Sequence, residues 1–215
     1  MPELPEIETT KRIIGPQITG RRIDETVIMR PEVIARPLAD QFCKGTTGRM
    51  SAGTIAGFSK GETYTCDFST QRRAGTAFFR YSPFWTVLAS RLGKRRKTIK
   101  ECLLEQSVIA GIGNIYSDEI LFTAGIHPAR PANTLTMDEW QRLAAVIPER
   151  LSFFIDKNAT TPEKYLRTKG QDYRNTPFLQ VYGHSGELCP VCKATLCRIV
   201  IGGRNSVYCP CCQKC

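Results

Sequence analysis

No apolar run in the 215-residue chain reaches the roughly 18 to 20 residues needed to cross a bilayer. Nor does the N-terminus carry a basic segment followed by an apolar stretch, the pattern that directs secretion. These absences point to a soluble intracellular chain with no membrane partner, and they remove the compartment in which disulfides are the default use of cysteine. Acidic residues are also in deficit: 20 Asp and Glu stand against 30 Lys and Arg, a net charge of +10. Such an excess favours a polyanionic partner such as nucleic acid. The bases cluster at Arg21-Arg22, Arg72-Arg73, Lys94 to Lys97, and Arg198 with Arg204. Any one cluster alone reads as solvated surface, and it is their combination with the overall charge that carries the inference.

Ten cysteines are present, and their spacing says more than their number. Cys189-x-x-Cys192 and Cys209-x-x-Cys212 are two short turns separated by sixteen residues, the arrangement of a four-thiolate zinc ribbon. Each pair aims two sulfurs at one ion while the intervening residues form a hairpin. One structural zinc ion is expected, because four thiolates leave no open position for water. Cys43, Cys66, Cys102, Cys197, Cys211 and Cys215 lie outside the pattern; Cys102 reads as core, whereas Cys211 and Cys215 could compete as ligands.

Along the chain, Leu4, Ile7 and Ile13-Ile14 have helical spacing, with Gly15-Pro16 as a stop. Arg22 to Ile34 reads as strand. Residues 45 to 90 are poor in sheet-core pattern, with Ala77-Phe79 and Trp85-Leu88 the only strand candidates. Beyond Lys97 the character turns helical: Ile99 through Ala110, then Ile115 to Thr123 ending at Ala124-Gly125. A third helix opens with the capping box Thr136-Met-Asp-Glu139 and is bent at Pro148, and a short one spans Pro162 to Arg167. The fold class is multi-domain α+β.

Two short stretches raise questions of chemistry. In MPELPEIETT, removal of Met1 would leave Pro2 with a free secondary amine beside Glu3, yet the same residues also make a good helix start, with acids complementing the helix dipole. Gly111-Ile-Gly-Asn114 lies between two helices. It reads either as a phosphate-binding turn, with helix N–H groups and the Asn114 side chain as donors, or as a plain helix–helix connection.

Taken together, MPELPEIETTKR, QSVIAGIGNIYSDEILFTAGIHPAR and LQVYGHSGELCPVC…GGRNSVYCPCC resemble the formamidopyrimidine-DNA glycosylase and endonuclease VIII family. The likeness is dense over residues 1 to about 50 and 91 to 213. It implies a shortened N-terminal β-sandwich domain with an N-terminal helix (1–90), a helical domain with a helix-two-turn-helix motif (91–175) and a zinc ribbon (176–215). The resemblance also implies a partner, double-stranded damaged DNA, gripped by a monomer. It makes Pro2 the nucleophile and Glu3 the general acid, with Glu6 in support. Asn114 and Arg204 become phosphate ligands, and Arg72, Arg73 and Lys97 further DNA contacts. The loop around Gly170 to Thr176 matches a segment that covers the extruded base in some relatives.

The departure falls between Arg49 and Leu92, where family members are typically about fifty residues longer. Gln71-Arg72-Arg73-Ala74-Gly75 matches either of two family elements, and either match loses a functional side chain; Lys60 is the nearest substitute for the family's lysine. Three functions follow: a glycosylase with abasic-site lyase activity on oxidised bases, a DNA-binding member without turnover, or a zinc-ribbon interaction domain unrelated to DNA.

Overall fold

The computed structural model describes residues 3–22, 24–25, 44, 48, 84–167 and 175–214. Six α-helices lie in these segments: α1 (Leu4–Ile18), α2 (Phe84–Leu92), α3 (Ile99–Leu104), α4 (Asn114–Ala124), α5 (Met137–Lys157) and α6 (Pro162–Arg167). A two-stranded hairpin follows, β1 (Cys197–Ile201) and β2 (Arg204–Tyr208), paired antiparallel with Ile201 opposite Arg204. Its two-residue turn is Gly202-Gly203, both at positive φ, as a tight turn matching the twist of the strands demands. Of the expected β-sandwich strands, Ala77-Phe79 and the part of Arg22 to Ile34 beyond Glu25 lie outside the described residues.

The long helix α5 organises the body. Its start is the Thr136/Glu139 capping box, in which the hydroxyl accepts from the Glu139 N–H and the carboxylate from the Thr136 N–H. The helix runs through Pro148 without a break, and packs against α4, α2 and α1. Leu143, Ile147, Leu151 and Phe154 line one face and are essentially inaccessible, meeting Leu92, Ile99, Leu103, Tyr116 and Ile120.

Two expectations are corrected. Trp85-Leu88 belongs to a helix, not a strand: Phe84, Leu88 and Leu92 recur at helical spacing, and the last two are buried in the α5 core. Helix α1 does not stop at Gly15-Pro16 but continues to Ile18. Proline's fixed φ fits a helix, and the side chains of Gln17 and Thr19 bond the carbonyls of Ile13 and Gly15, satisfying the end. The helix expected from Ile99 to Ala110 also ends early, at Leu104, and residues 106–111 are turns.

Helix α4 is buried on every side, from Tyr116 through Phe122. It faces the α5 core with Tyr116, Ile120 and Leu121, and a second core with Phe122, which packs with Val181, Cys189, Leu196, Val207 and Cys209 of the C-terminal ribbon. A helix so placed carries little amphipathic pattern. Its two internal carboxylates must therefore find partners inside the protein. Glu119 accepts from the backbone N–H groups of Gln180, Val181 and Tyr182 at 2.9–3.0 Å, tying the segment before the ribbon to the helix.

Candidate functional site

The start of α1 is docked on the start of α4. The Leu4 N–H donates to the Gly111 carbonyl at 2.8 Å, and the Glu3 carboxylate accepts from the N–H groups of Gly113 (3.0 Å), Ile115 (3.1 Å) and Tyr116 (3.2 Å). These belong to the unpaired donors that any helix N-terminus offers, and the helix dipole favours a negative group there. Both glycines of the turn are required by this contact. A Cβ on Gly113 would sit 2.3 Å from Glu3 Cδ, and one on Gly111 would sit 2.7 Å from Leu4 Cβ. Gly111 also has φ +90°, a conformation that side-chain-bearing residues rarely adopt.

The phosphate reading of the turn therefore changes. The N–H groups at 113, 115 and 116 are already engaged by Glu3. Burial raises the Glu3 carboxyl above its ordinary 4.5, outweighing the N–H donors of Ile115 and Tyr116 that act in the opposite direction; the neighbouring Glu6 charge adds to the rise. Glu6 holds the Glu3 backbone: the Glu3 N–H donates to Glu6 Oε2 at 2.8 Å, and the Tyr116 hydroxyl donates to Glu6 Oε1 at 2.5 Å.

At the same end of α4, the Asn114 side chain reaches the ribbon. Its Nδ2 donates to the Asn205 carbonyl at 3.1 Å, and its Oδ1 is buried without a hydrogen-bond partner. Arg204 is exposed in the preceding position of β2, so the structure brings Asn114 to the strand that carries Arg204. Lys97 stands exposed just before α3, where its backbone carbonyl accepts the Ala132 N–H at 2.9 Å. Pro2, Lys60, Arg72 and Arg73 lie outside the described residues.

Sequence reasoning missed the group that locks this seam. Lys100 and Asp118, both inaccessible to solvent, form a salt bridge at 2.7 Å. Asp118 also accepts from the Ser206 hydroxyl (2.5 Å) and the Val207 N–H (3.0 Å), while the Lys100 ammonium reaches the Asn205 carbonyl at 3.3 Å. Burial lowers the Lys100 ammonium and raises the Asp118 carboxyl from their ordinary ranges, each opposed by the partner's charge. The available signal was charge inside each of two apolar helical stretches, Lys100 and Glu101 within Ile99 to Leu103 and Asp118 and Glu119 within Ile115 to Phe122.

In the ribbon, the sulfurs of Cys189, Cys192, Cys209 and Cys212 all lie within 4.8 Å of one another. Two cross-pairs, Cys192–Cys209 at 3.3 Å and Cys189–Cys212 at 3.9 Å, bracket the edge of about 3.8 Å set by a tetrahedron of ~2.3 Å Zn–S bonds. The four fit one structural zinc ion. Gln213 braces the site, accepting from the Cys209 N–H and donating to the Ile126 carbonyl just past α4, both at 2.9 Å.

A helical body that seats an N-terminal acid on one helix and docks a four-cysteine ribbon beside it defines a class with known members. Residues 1–57 match the formamidopyrimidine-DNA glycosylase N-terminal domain, residues 81–164 the formamidopyrimidine-DNA glycosylase H2TH domain, and residues 186–214 the zinc finger found in FPG and IleRS. A formamidopyrimidine-DNA glycosylase of Desulfitobacterium hafniense is 32% identical over 272 residues, taking in 99% of this chain and 100% of that one. That aligned span exceeds the 215 residues present here, so the relative has residues this chain lacks. The fold is similar to that of Lactococcus lactis FPG (MutM) in complex with DNA containing an oxidized pyrimidine, with a TM-score of 0.72 and 26% identity over 100% of both chains. The complex of the Lactococcus lactis protein with FAPY-dG-containing DNA gives a TM-score of 0.71 and 26% identity, over 99% of this chain and 100% of that one. The chain belongs to the formamidopyrimidine-DNA glycosylase family.

Proposed function

We propose that this chain is a DNA repair glycosylase with abasic-site lyase activity, acting as a monomer on double-stranded damaged DNA. The observation that carries the reading is the seat of Glu3. The acid next to Pro2 is held by N–H groups at positions 113, 115 and 116, flanking Asn114, so acid and phosphate ligand share one helical turn. A group that grips the DNA backbone there places the sugar within reach of the terminal amine.

In this mechanism the damaged nucleotide leaves the stack, at a cost of about a few kcal/mol. The Pro2 nitrogen attacks C1′, the base departs and takes up the proton that the amine releases, and Glu3 gives its proton to the ring oxygen as the C1′–O4′ bond breaks and the nitrogen lone pair forms the iminium. The resulting iminium acts as an electron sink for β- and then δ-elimination. A carboxyl raised by burial keeps its proton at higher pH than an exposed one, which suits this acid role. Glu6 positions the terminus. Asn114 and Arg204 hold phosphates, with Arg72, Arg73 and Lys97 as further basic contacts and Lys60 in support. The division at 1–90, 91–175 and 176–215 assigns chemistry to the first part and grip to the other two. Oxidised purines, 8-oxoguanine and formamidopyrimidines, are the proposed substrates.

Borohydride trapping tests the reading. An abasic duplex oligonucleotide becomes covalently attached, and peptide mass spectrometry finds the adduct on Pro2. Absence of an adduct from protein with a verified free proline terminus overturns it. A second reading, DNA binding without turnover, is favoured by the residues that the longer relative has and this chain lacks. It predicts salt-dependent duplex binding that survives Pro2→Gly, with no trapping under any condition.

A further inference from the structure

We infer that Asn175 is a positioning residue for the N-terminal site, acting through Tyr116 and Glu6 to fix the backbone of Glu3 and with it the amine one residue earlier. The inference rests on the function proposed above and adds to it a residue that lies 59 positions from Tyr116 along the chain.

The line of contacts is continuous and mostly buried. Asn175 Nδ2 donates to the Tyr116 hydroxyl at 2.8 Å, the hydroxyl donates to Glu6 Oε1 at 2.5 Å, and the other oxygen of Glu6 accepts the Glu3 N–H at 2.8 Å. Asn175 and Tyr116 both have 0% exposure. The chemistry gives the line a direction. An amide nitrogen only donates, so it occupies a lone pair of the hydroxyl and leaves the hydroxyl proton for an acceptor. Among the described residues, an acceptor at hydrogen-bond distance is the Glu6 carboxylate, which also grips Glu3. Phe154, 4.9 Å away between ring centroids, packs against the tyrosine ring, so the ring is confined and the amide sets how the hydroxyl points.

A purely space-filling role does not account for Asn175. Its Oδ1 is buried with no hydrogen-bond partner, and an apolar side chain of similar size would avoid that penalty. What an apolar side chain lacks is the donor, and the donor is directed at Tyr116. Glu3 is doubly held as a result: its carboxylate by α4, its N–H by Glu6, with Asn175 fixing the second hold.

The test compares Asn175→Leu, Tyr116→Phe and the double variant in single-turnover cleavage of an abasic-site duplex, with DNA affinity and zinc content measured alongside. Each single variant is expected to slow the chemical step about tenfold at unchanged Kd and zinc content, and the double variant no further, because all three break one line. A wild-type rate in Asn175→Leu, additive losses, or a loss confined to Kd overturns the inference. Amide hydrogen exchange at Glu3 reads the same hold without turnover: Asn175→Leu is expected to speed it about tenfold, and unchanged exchange overturns the inference. If the wild-type protein forms no borohydride adduct, the proposed function fails, while the exchange measurement still decides the role of Asn175.

Discussion

Gly113→Ala separates the chemistry of the site from its architecture. The backbone at Gly113, with φ −114° and ψ −159°, is open to alanine. The added methyl would lie 2.3 Å from Glu3 Cδ and 2.4 Å from Oε1, the movable end of a side chain. The helix therefore survives and the carboxylate must leave. It forfeits three hydrogen bonds of 3.0–3.2 Å. Bonds to a charged group contribute about 1.5–3 kcal/mol each when nothing replaces them, but water regains both the carboxylate and the freed N–H groups, so about 1–3 kcal/mol is expected for the set. At ~2–4 °C per kcal/mol for a chain of this size, Tm falls by about 2–12 °C. On the proposed mechanism, displacing the acid by an ångström or more is expected to slow cleavage of an abasic duplex by about a hundredfold. Gly111→Ala is the contrasting variant: it strains a φ of +90° and strikes Leu4 Cβ at 2.7 Å, which cannot swing aside. Its expected Tm loss is the larger of the two. Wild-type Tm and cleavage rate in Gly113→Ala would refute the seat of Glu3.

Removing zinc with a chelator, or by Cys209→Ser, releases the hairpin that carries Arg204; duplex affinity is expected to fall at least about tenfold, with one zinc per chain in the intact protein by elemental analysis. Asp118→Leu strands the buried Lys100 ammonium and is expected to cost about 3–5 kcal/mol in urea denaturation, whereas adding Lys100→Met restores part of it, since the charge no longer needs a partner. Glu3→Gln tests the raised carboxyl. Its contribution to stability is present below the ordinary 4.5 and is lost as pH rises through the higher folded value, so the difference in Tm moves in favour of the neutral Gln variant from pH 4 upward, and a difference independent of pH counts against burial as the cause.

What could be read in advance was local. The Thr136/Glu139 box starts α5 where expected because both partners lie within one turn, and the ribbon was legible because its ligands come in pairs three residues apart. Trp85-Leu88 fits a buried strand or a helix equally well, being four residues of which Trp85, Val87 and Leu88 are apolar, and only packing against α5 decides. The end of α1 was misplaced for a similar reason. Gly15-Pro16 is a stop by propensity, but Gly15 is buried, and Thr9 of the same helix takes a hydrogen bond from Asn158 at the end of α5, so tertiary contact outweighs it. Lys100 with Asp118, and Glu3 with the start of α4, join residues 18 and more than 100 positions apart, which no window of sequence brings together.

The most consequential revision concerns Gly111-Ile-Gly-Asn114. Two glycines before a helix suggested a backbone open to phosphate, and the structure fills that position with the protein's own carboxylate. An anion approaching α4 therefore meets side chains, with Asn114 on the helix and Arg204 on the hairpin, and their spacing depends on how the hairpin is held. That hold is the Lys100–Asp118–Ser206 cluster on one side and the four-cysteine site on the other. The same short helix thus seats the proposed acid through its backbone and the proposed phosphate ligand through its first side chain. A shift of the ribbon would disturb the second, while the first depends on α1, so grip and chemistry should be separable by mutation although they share one turn of helix.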